Sequence, residues 1–141
     1  MTLPDALLLA DKSAWERAAD PQVREEWARA MLSGRLVTCL PVRYELLFST
    51  RDAQAFAALE RRLAALRDVA LTASVQRAAM TAQRELAALG PLHHRVPLPD
   101  LLIAAAAQEH NLVVLHEDRH FETLQRVMSF HARRLLSSEP V

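Results

Sequence analysis

Three short apolar runs punctuate the chain, at Ala6 to Ala10, Leu36 to Leu40 and Leu112 to Leu115. Each is too short for a helix and none alternates strictly, so each is predicted to be a strand buried on both faces. Between them the apolar spacing turns helical. One helix opens near Ser13, and a second starts at Asp20-Pro21, a cap followed by proline, and closes at Gly34. Further helices are expected from Pro41 to Ser49, Asp52 to Leu66, Thr72 to Ala88, Pro97 through Glu109, and Phe121 to Met128, with brief strands at Val69 to Leu71 and Ala132 to Leu136. Strands that alternate with helices predict an α/β fold, because parallel strands need crossovers and the crossovers become the covering layers.

Length and composition fit one such domain. The 141 residues are enough to bury a core without staples, and 51% apolar with 24% charged residues describes an ordinary folded protein. The lone cysteine, Cys39, excludes an internal disulfide framework and a cysteine-rich zinc site, and points to a reducing, cytoplasmic setting. The longest apolar stretch, Leu101 to Ala107, is far below the roughly 18 residues of a membrane span. No basic segment precedes the first apolar residues, so no signal peptide is expected.

Ligands of open α/β sheets bind beyond the carboxyl ends of the strands, which directs attention to the polar residues there. Asp11 directly follows the first apolar run, and Asp118 follows the Leu112 run after two residues. Asp100 stands in the first turn of its helix, on a stripe with Ile103, Ala104 and Ala107; read alone, it is simply a first-turn acid that suits the helix dipole. Glu45 shares a stripe with Val42 and Phe48, a costly position for an unpartnered carboxylate. Glu60, between Phe56 and Leu63, passes the same test, so the burial pattern does not by itself select a site. Four acids brought together would raise one another's proton affinity until a cation intervened. An oxygen donor set without cysteine favours Mg²⁺, with Mn²⁺ as the other candidate.

Four segments carry a family resemblance. Leu8-Leu9-Ala10-Asp11-Lys12-Ser13-Ala14-Trp15 resembles the opening motif of PIN-domain toxins of the VapC family, and Pro41 to Arg51 resembles their second motif, with Glu45 as its acid. Val96 to Ala107, an aspartate opening a helix before Ile-Ala-Ala, is similar to the third and most specific motif; Val113 to Phe121 is similar to the fourth. There Asp118 matches the first of two aspartates and His120 replaces the second; an imidazole at the metal would weaken its affinity or favour Mn²⁺, and the position is read here as peripheral to the metal. The resemblance implies a three-layer α/β/α PIN domain over residues 1–136 with a short tail at 137–141, and a mostly parallel sheet of order 3-2-1-4-5. It further implies a type II toxin: a Mg²⁺-dependent endoribonuclease acting on tRNA or rRNA, neutralised by a VapB-type antitoxin, and homodimeric. The site residues it implies are Asp11, Glu45, Asp100 and Asp118, with Ser13, His120 and Arg51 in support. Asp11 and Asp118 would ligate the principal ion, and Glu45 and Asp100 would bind directly, through water, or at a second ion.

Charge and aromatic content refine this picture. A formal net charge of zero argues against a protein held on nucleic acid by bulk electrostatics, yet setting aside the four site acids leaves 17 basic residues against 13 acidic. Arg43, Arg51, Lys12 and the His93-His94-Arg95 cluster are candidate phosphate contacts. Trp15, Trp27 and Phe121 read as core or interface residues, and the Trp15, Trp27 and Phe56 region fits either a groove for an antitoxin helix or core, which periodicity does not distinguish. Two other functions compete: a catalytically silent PIN-like module that binds RNA or protein, made conceivable by His120, and a receiver-like phosphoacceptor domain. The second lacks an acidic pair near the N-terminus and a suitable lysine near the C-terminus.

Overall fold

In the computed structural model the described residues are 6–135. The proposed tail, and Leu136 at the end of the last expected strand, lie outside them. Five strands, β1 (Leu8–Ala10), β2 (Leu36–Cys39), β3 (Arg67–Val69), β4 (Val113–His116) and β5 (His131–Arg134), form one parallel sheet in the order β3-β2-β1-β4-β5. The expected order is therefore found, and the Asp11 and Asp118 strands are neighbours, with Leu8 facing Val113 and Ala10 facing Leu115.

Seven helices cover the sheet among the described residues: α1 (Lys12–Trp15), α2 (Arg24–Leu32), α3 (Leu40–Phe48), α4 (Ala53–Ala64), α5 (Ala73–Leu89), α6 (Leu98–His110) and α7 (His120–Leu124). Strand alternation divides the core in two. Leu8, Ala10, Leu36, Val113 and Leu115 point to one face, where Ala14, Val23, Trp27 and Ala30 of the α1–α2 region cover them. Leu9, Val37, Cys39 and Val114 point to the other, against α3, α5, α6 and α7. The continuous apolar runs exist because both faces are covered.

Helix α6 is the most extensively buried of the helices. Ala104 to Ala107 are all buried, and four small side chains in succession let the helix settle against its neighbours. It ends at Asn111, which takes the left-handed conformation at φ 55°, a role an asparagine fills readily.

The element boundaries differ from expectation at one informative place. The second helix begins at Arg24 and not at Asp20-Pro21, because the Asp20 carboxylate caps a local turn by accepting the Gln22 N–H (2.9 Å), and the chain passes through turns before α2 forms. Trp15 and Trp27 resolve the choice between core and groove. Their rings meet edge to face at 5.0 Å and Trp27 is buried, so they close the core over β1 and do not line an open groove. The exposed apolar stripe runs instead along α3, through Leu40, Tyr44 and Phe48, with Phe56 of α4 partly exposed.

Candidate metal centre

Strand β1 places Asp11. Its backbone N–H donates to the Leu115 carbonyl at 2.9 Å, fixing the end of β1 against β4, and its side chain caps α1. Oδ2 accepts both the Ser13 N–H (3.2 Å) and the Ser13 hydroxyl (2.7 Å). The other oxygen, Oδ1, is buried without a hydrogen-bond partner.

Ser13 does more than orient one carboxylate. Its oxygen also accepts the Glu117 N–H at 2.9 Å, so one hydroxyl ties the loop after β1 to the loop after β4. On that second loop the Asp118 N–H donates to His116 Nδ1 at 3.1 Å. His116 itself is buried with its ring 5.0 Å from Phe121, and burial, together with the Arg134 charge, holds its pKa below the usual value. The sequence reading gave His116 no role. Its only signal was a polar residue ending an apolar strand immediately before the acid loop.

Helix α6 delivers Asp100 into the same region. Its stripe partners Ile103, Ala104 and Ala107 are buried, as the periodicity required, and Asp100 is only 5% exposed. Glu45 reaches the site from α3 and is half-buried. The reasoning that placed it there was partly wrong: Val42 is buried but Phe48 lies on the outer face, 76% exposed. The competing acid, Glu60, is exposed on α4.

Two overlapping triads result. Donor atoms of Asp11, Glu45 and Asp100 lie within 4.8 Å of one another, as do those of Asp100, Asp118 and His120, so Asp100 is the shared member. His120, read as peripheral, instead touches two acids: its Nδ1 is 2.9 Å from Asp100 Oδ2 and 3.0 Å from Asp118 Oδ1. Arg51 stands exposed between α3 and α4. Arg43 is engaged by Asp68 at 3.1 Å and Lys12 by Glu16 at 3.6 Å, so neither cation is free to meet a phosphate without exchanging partners.

The crowding has an electrostatic signature. Burial, then the charges of Asp11 and Asp118, push Asp100 up to about 7, with His120 opposing the rise. Burial also raises Asp11 against the lowering effect of the Ser13 hydrogen bonds, and raises Glu45, to which the Asp11 charge adds. Acids whose proton affinity climbs when they are packed together, with one buried carboxylate oxygen left unpaired, suit a hard divalent cation. Cys39 does not contribute: it lies in the core, and burial pushes its thiol up to about 12.

Comparison with known proteins agrees with this geometry. The PIN domain family matches residues 8–127. Ribonuclease VapC18 of Mycobacterium tuberculosis is 36% identical over 118 residues, 83% of this chain and 86% of its own. Ribonuclease VapC2 of the same organism is 34% identical over 142 residues, covering 98% of this chain and 99% of its own. Among solved structures, DNA-bound VapBC from Salmonella typhimurium superposes with a TM-score of 0.73 at 17% identity, over 92% of this chain and 98% of the other. VapBC-1 from nontypeable Haemophilus influenzae gives a TM-score of 0.72 at 16% identity, with the same coverage. The chain belongs to the PIN domain family, and within it to the VapC proteins.

Proposed function

We propose that this protein is the toxin of a type II toxin–antitoxin pair, a divalent-metal-dependent endoribonuclease that hydrolyses RNA phosphodiester bonds. The observation that carries the reading is the buried, unpaired Asp11 Oδ1 among mutually crowded carboxylates, in a chain that aligns along most of its length with ribonucleases of the VapC type. Asp11, Asp100 and Asp118 hold the ion, with Glu45 at the more open side. Mg²⁺ and Mn²⁺ are the ions that such an oxygen-rich set accepts. When bound, the ion supplies Lewis-acid stabilisation of the phosphodiester and lowers the pKa of water.

The chain's own residues contribute preorganisation. Ser13 locks the Asp11 carboxylate so that one oxygen serves the helix cap and the other is left buried and unpaired. His116 and the Ser13–Glu117 bond set the loop from which Asp118 projects. Because Asp100 belongs to both triads, its loss disturbs every donor, whereas Glu45 belongs to one. Several of the structural neighbours are VapBC complexes, and a VapB-type partner follows for this chain. The exposed Leu40, Tyr44 and Phe48 stripe of α3 offers such a partner apolar surface. No helix among the described residues is long and apolar enough to cross a membrane.

The test is cleavage of total tRNA and rRNA by the purified chain in Mg²⁺ or Mn²⁺, with and without chelator, and by Asp11→Asn. Attack by water leaves a 5′-phosphate and a free 3′-hydroxyl, whereas metal-free cleavage through the ribose 2′-hydroxyl leaves a cyclic phosphate. Chelator-insensitive cleavage, or cyclic ends, refutes the metal mechanism. No cleavage of any RNA under metal-replete conditions favours a silent binding module.

A further inference from the structure

His120 stands where the acid set has room for one more donor. Its Nδ1 is within hydrogen-bonding distance of one oxygen each from Asp100 and Asp118, and its own backbone N–H donates to Asp118 Oδ1 at 3.0 Å. Ring and carboxylate are therefore fixed by a single turn at the start of α7. The side chain is 37% exposed, so the ring is reached from solvent and its replacement leaves the core intact.

The spacing is informative. Adjacent ligands of a six-coordinate ion at about 2.0–2.1 Å lie about 3 Å apart. Nδ1 shows that separation to both oxygens, so an ion can take the place of the shared proton with the ring left where it is. His116, the other imidazole near the acids, is not available: its Nδ1 already accepts the Asp118 N–H and the residue is buried against Phe121. Carboxylates alone suit magnesium, whereas an imidazole nitrogen is a donor that transition-metal ions bind better.

We propose that His120 ligates the ion through Nδ1, together with Asp100 and Asp118, and that this mixed nitrogen and oxygen set makes the centre prefer Mn²⁺ to Mg²⁺. The inference rests on the reading that the acids hold a divalent ion. The ring ligates in its neutral form with the proton on Nε2, so a proton held at Nδ1 passes to solvent and the ion's charge takes its place between the two carboxylates.

Titration of the full-length chain with Mn²⁺, followed by electron paramagnetic resonance of the free ion, gives affinity and stoichiometry; competition with Mg²⁺ gives the preference. Pulsed measurements on the bound ion report ¹⁴N modulation from a directly coordinated imidazole. The wild type should show that modulation, His120→Gln and His120→Asp should lose it, and His131→Gln, at an exposed position on β5, should keep it. His120→Gln should weaken Mn²⁺ binding at least roughly tenfold, the scale on which even outer-shell partners of a metal act, with a smaller effect on Mg²⁺. His120→Asp should move the preference toward Mg²⁺. Bound Mn²⁺ that is lost in Asp11→Asn but shows no ¹⁴N modulation in the wild type overturns the role of His120 and leaves the acid centre standing. So does an unchanged Mn²⁺ to Mg²⁺ ratio in His120→Gln. Absence of Mn²⁺ binding by the wild type overturns both.

Discussion

Asp100→Asn isolates the energetic cost of assembling the site. The isosteric amide keeps an oxygen to accept from His120 and removes the charge that Asp11 and Asp118 oppose. Because the folded-state pKa of Asp100 is raised from 3.8 to about 7, the native protein holds a proton that the unfolded chain releases. The stability that this group contributes is present at low pH and is lost as pH rises through 7, levelling off above it. At 1.36 kcal/mol per pKa unit the full cost of ionisation is about 4 kcal/mol, a figure that already includes the opposing contact from His120. In chelator, the variant should therefore be more stable than the wild type at pH 8, and its advantage should widen by about 3 kcal/mol between pH 5 and pH 8, where about two pKa units of the shift are expressed. For a domain of this size that is about 8 °C in Tm. Thermal denaturation of both proteins in chelator at the two pH values measures it. Saturating divalent ion should then raise the wild-type Tm, by about 2.7 kcal/mol of stability at a hundredfold excess over Kd, and leave the variant nearly unmoved. A variant less stable than the wild type at pH 8, or a gap independent of pH, refutes the claim that the acids are mutually strained.

Other features make shorter predictions. Ser13→Ala removes the hydroxyl that joins the two acid loops and should cost about 1–3 kcal/mol in chemical denaturation, together with a loss of metal affinity that Ser13→Thr restores. Cys39, with a buried thiol pushed up to about 12, should resist alkylation at pH 8 in the native state and react stoichiometrically once denaturant is added; rapid native labelling contradicts its place in the core. Leu92 is an exposed leucine at φ 67°, so Leu92→Asn should hold or raise the Tm, by up to about 1 kcal/mol, even though it deletes a large apolar side chain.

The sheet was readable because its residues face two ways at once. Leu36 to Cys39 and Val113 to His116 are buried along their whole length, and a strand covered on both sides accommodates so short and largely apolar a run. Strand β3 was harder to place, since Arg67 and Asp68 are exposed at the sheet edge and only Val69 is buried; the sequence reading set the strand two residues late. The start of α2 was misread for a local reason, as Asp20 can satisfy a turn as readily as a helix end. Core and groove stayed open at Trp15 and Trp27 because periodicity reports only that a side chain is sheltered, and in this fold the shelter is the other tryptophan.

The site divides along the same line. Strand ends and stripe partners are properties of neighbours in sequence, and they located Asp11, Asp100 and Asp118 correctly at the carboxyl edge of the sheet. What binds the acids into one unit is not local. Ser13 meets Glu117 across 104 positions and His120 meets Asp100 across 20, and no periodicity encodes either contact. His120 was read as a missing aspartate because spacing compares residue types position by position. In space it is an added contact to two acids, and the replacement that looked like a defect in the fourth motif ties the third and fourth motifs together. In a site crowded enough to raise Asp100 to about 7, the sequence supplies an imidazole in contact with two of the acids at the position where the family pattern would have placed another negative charge.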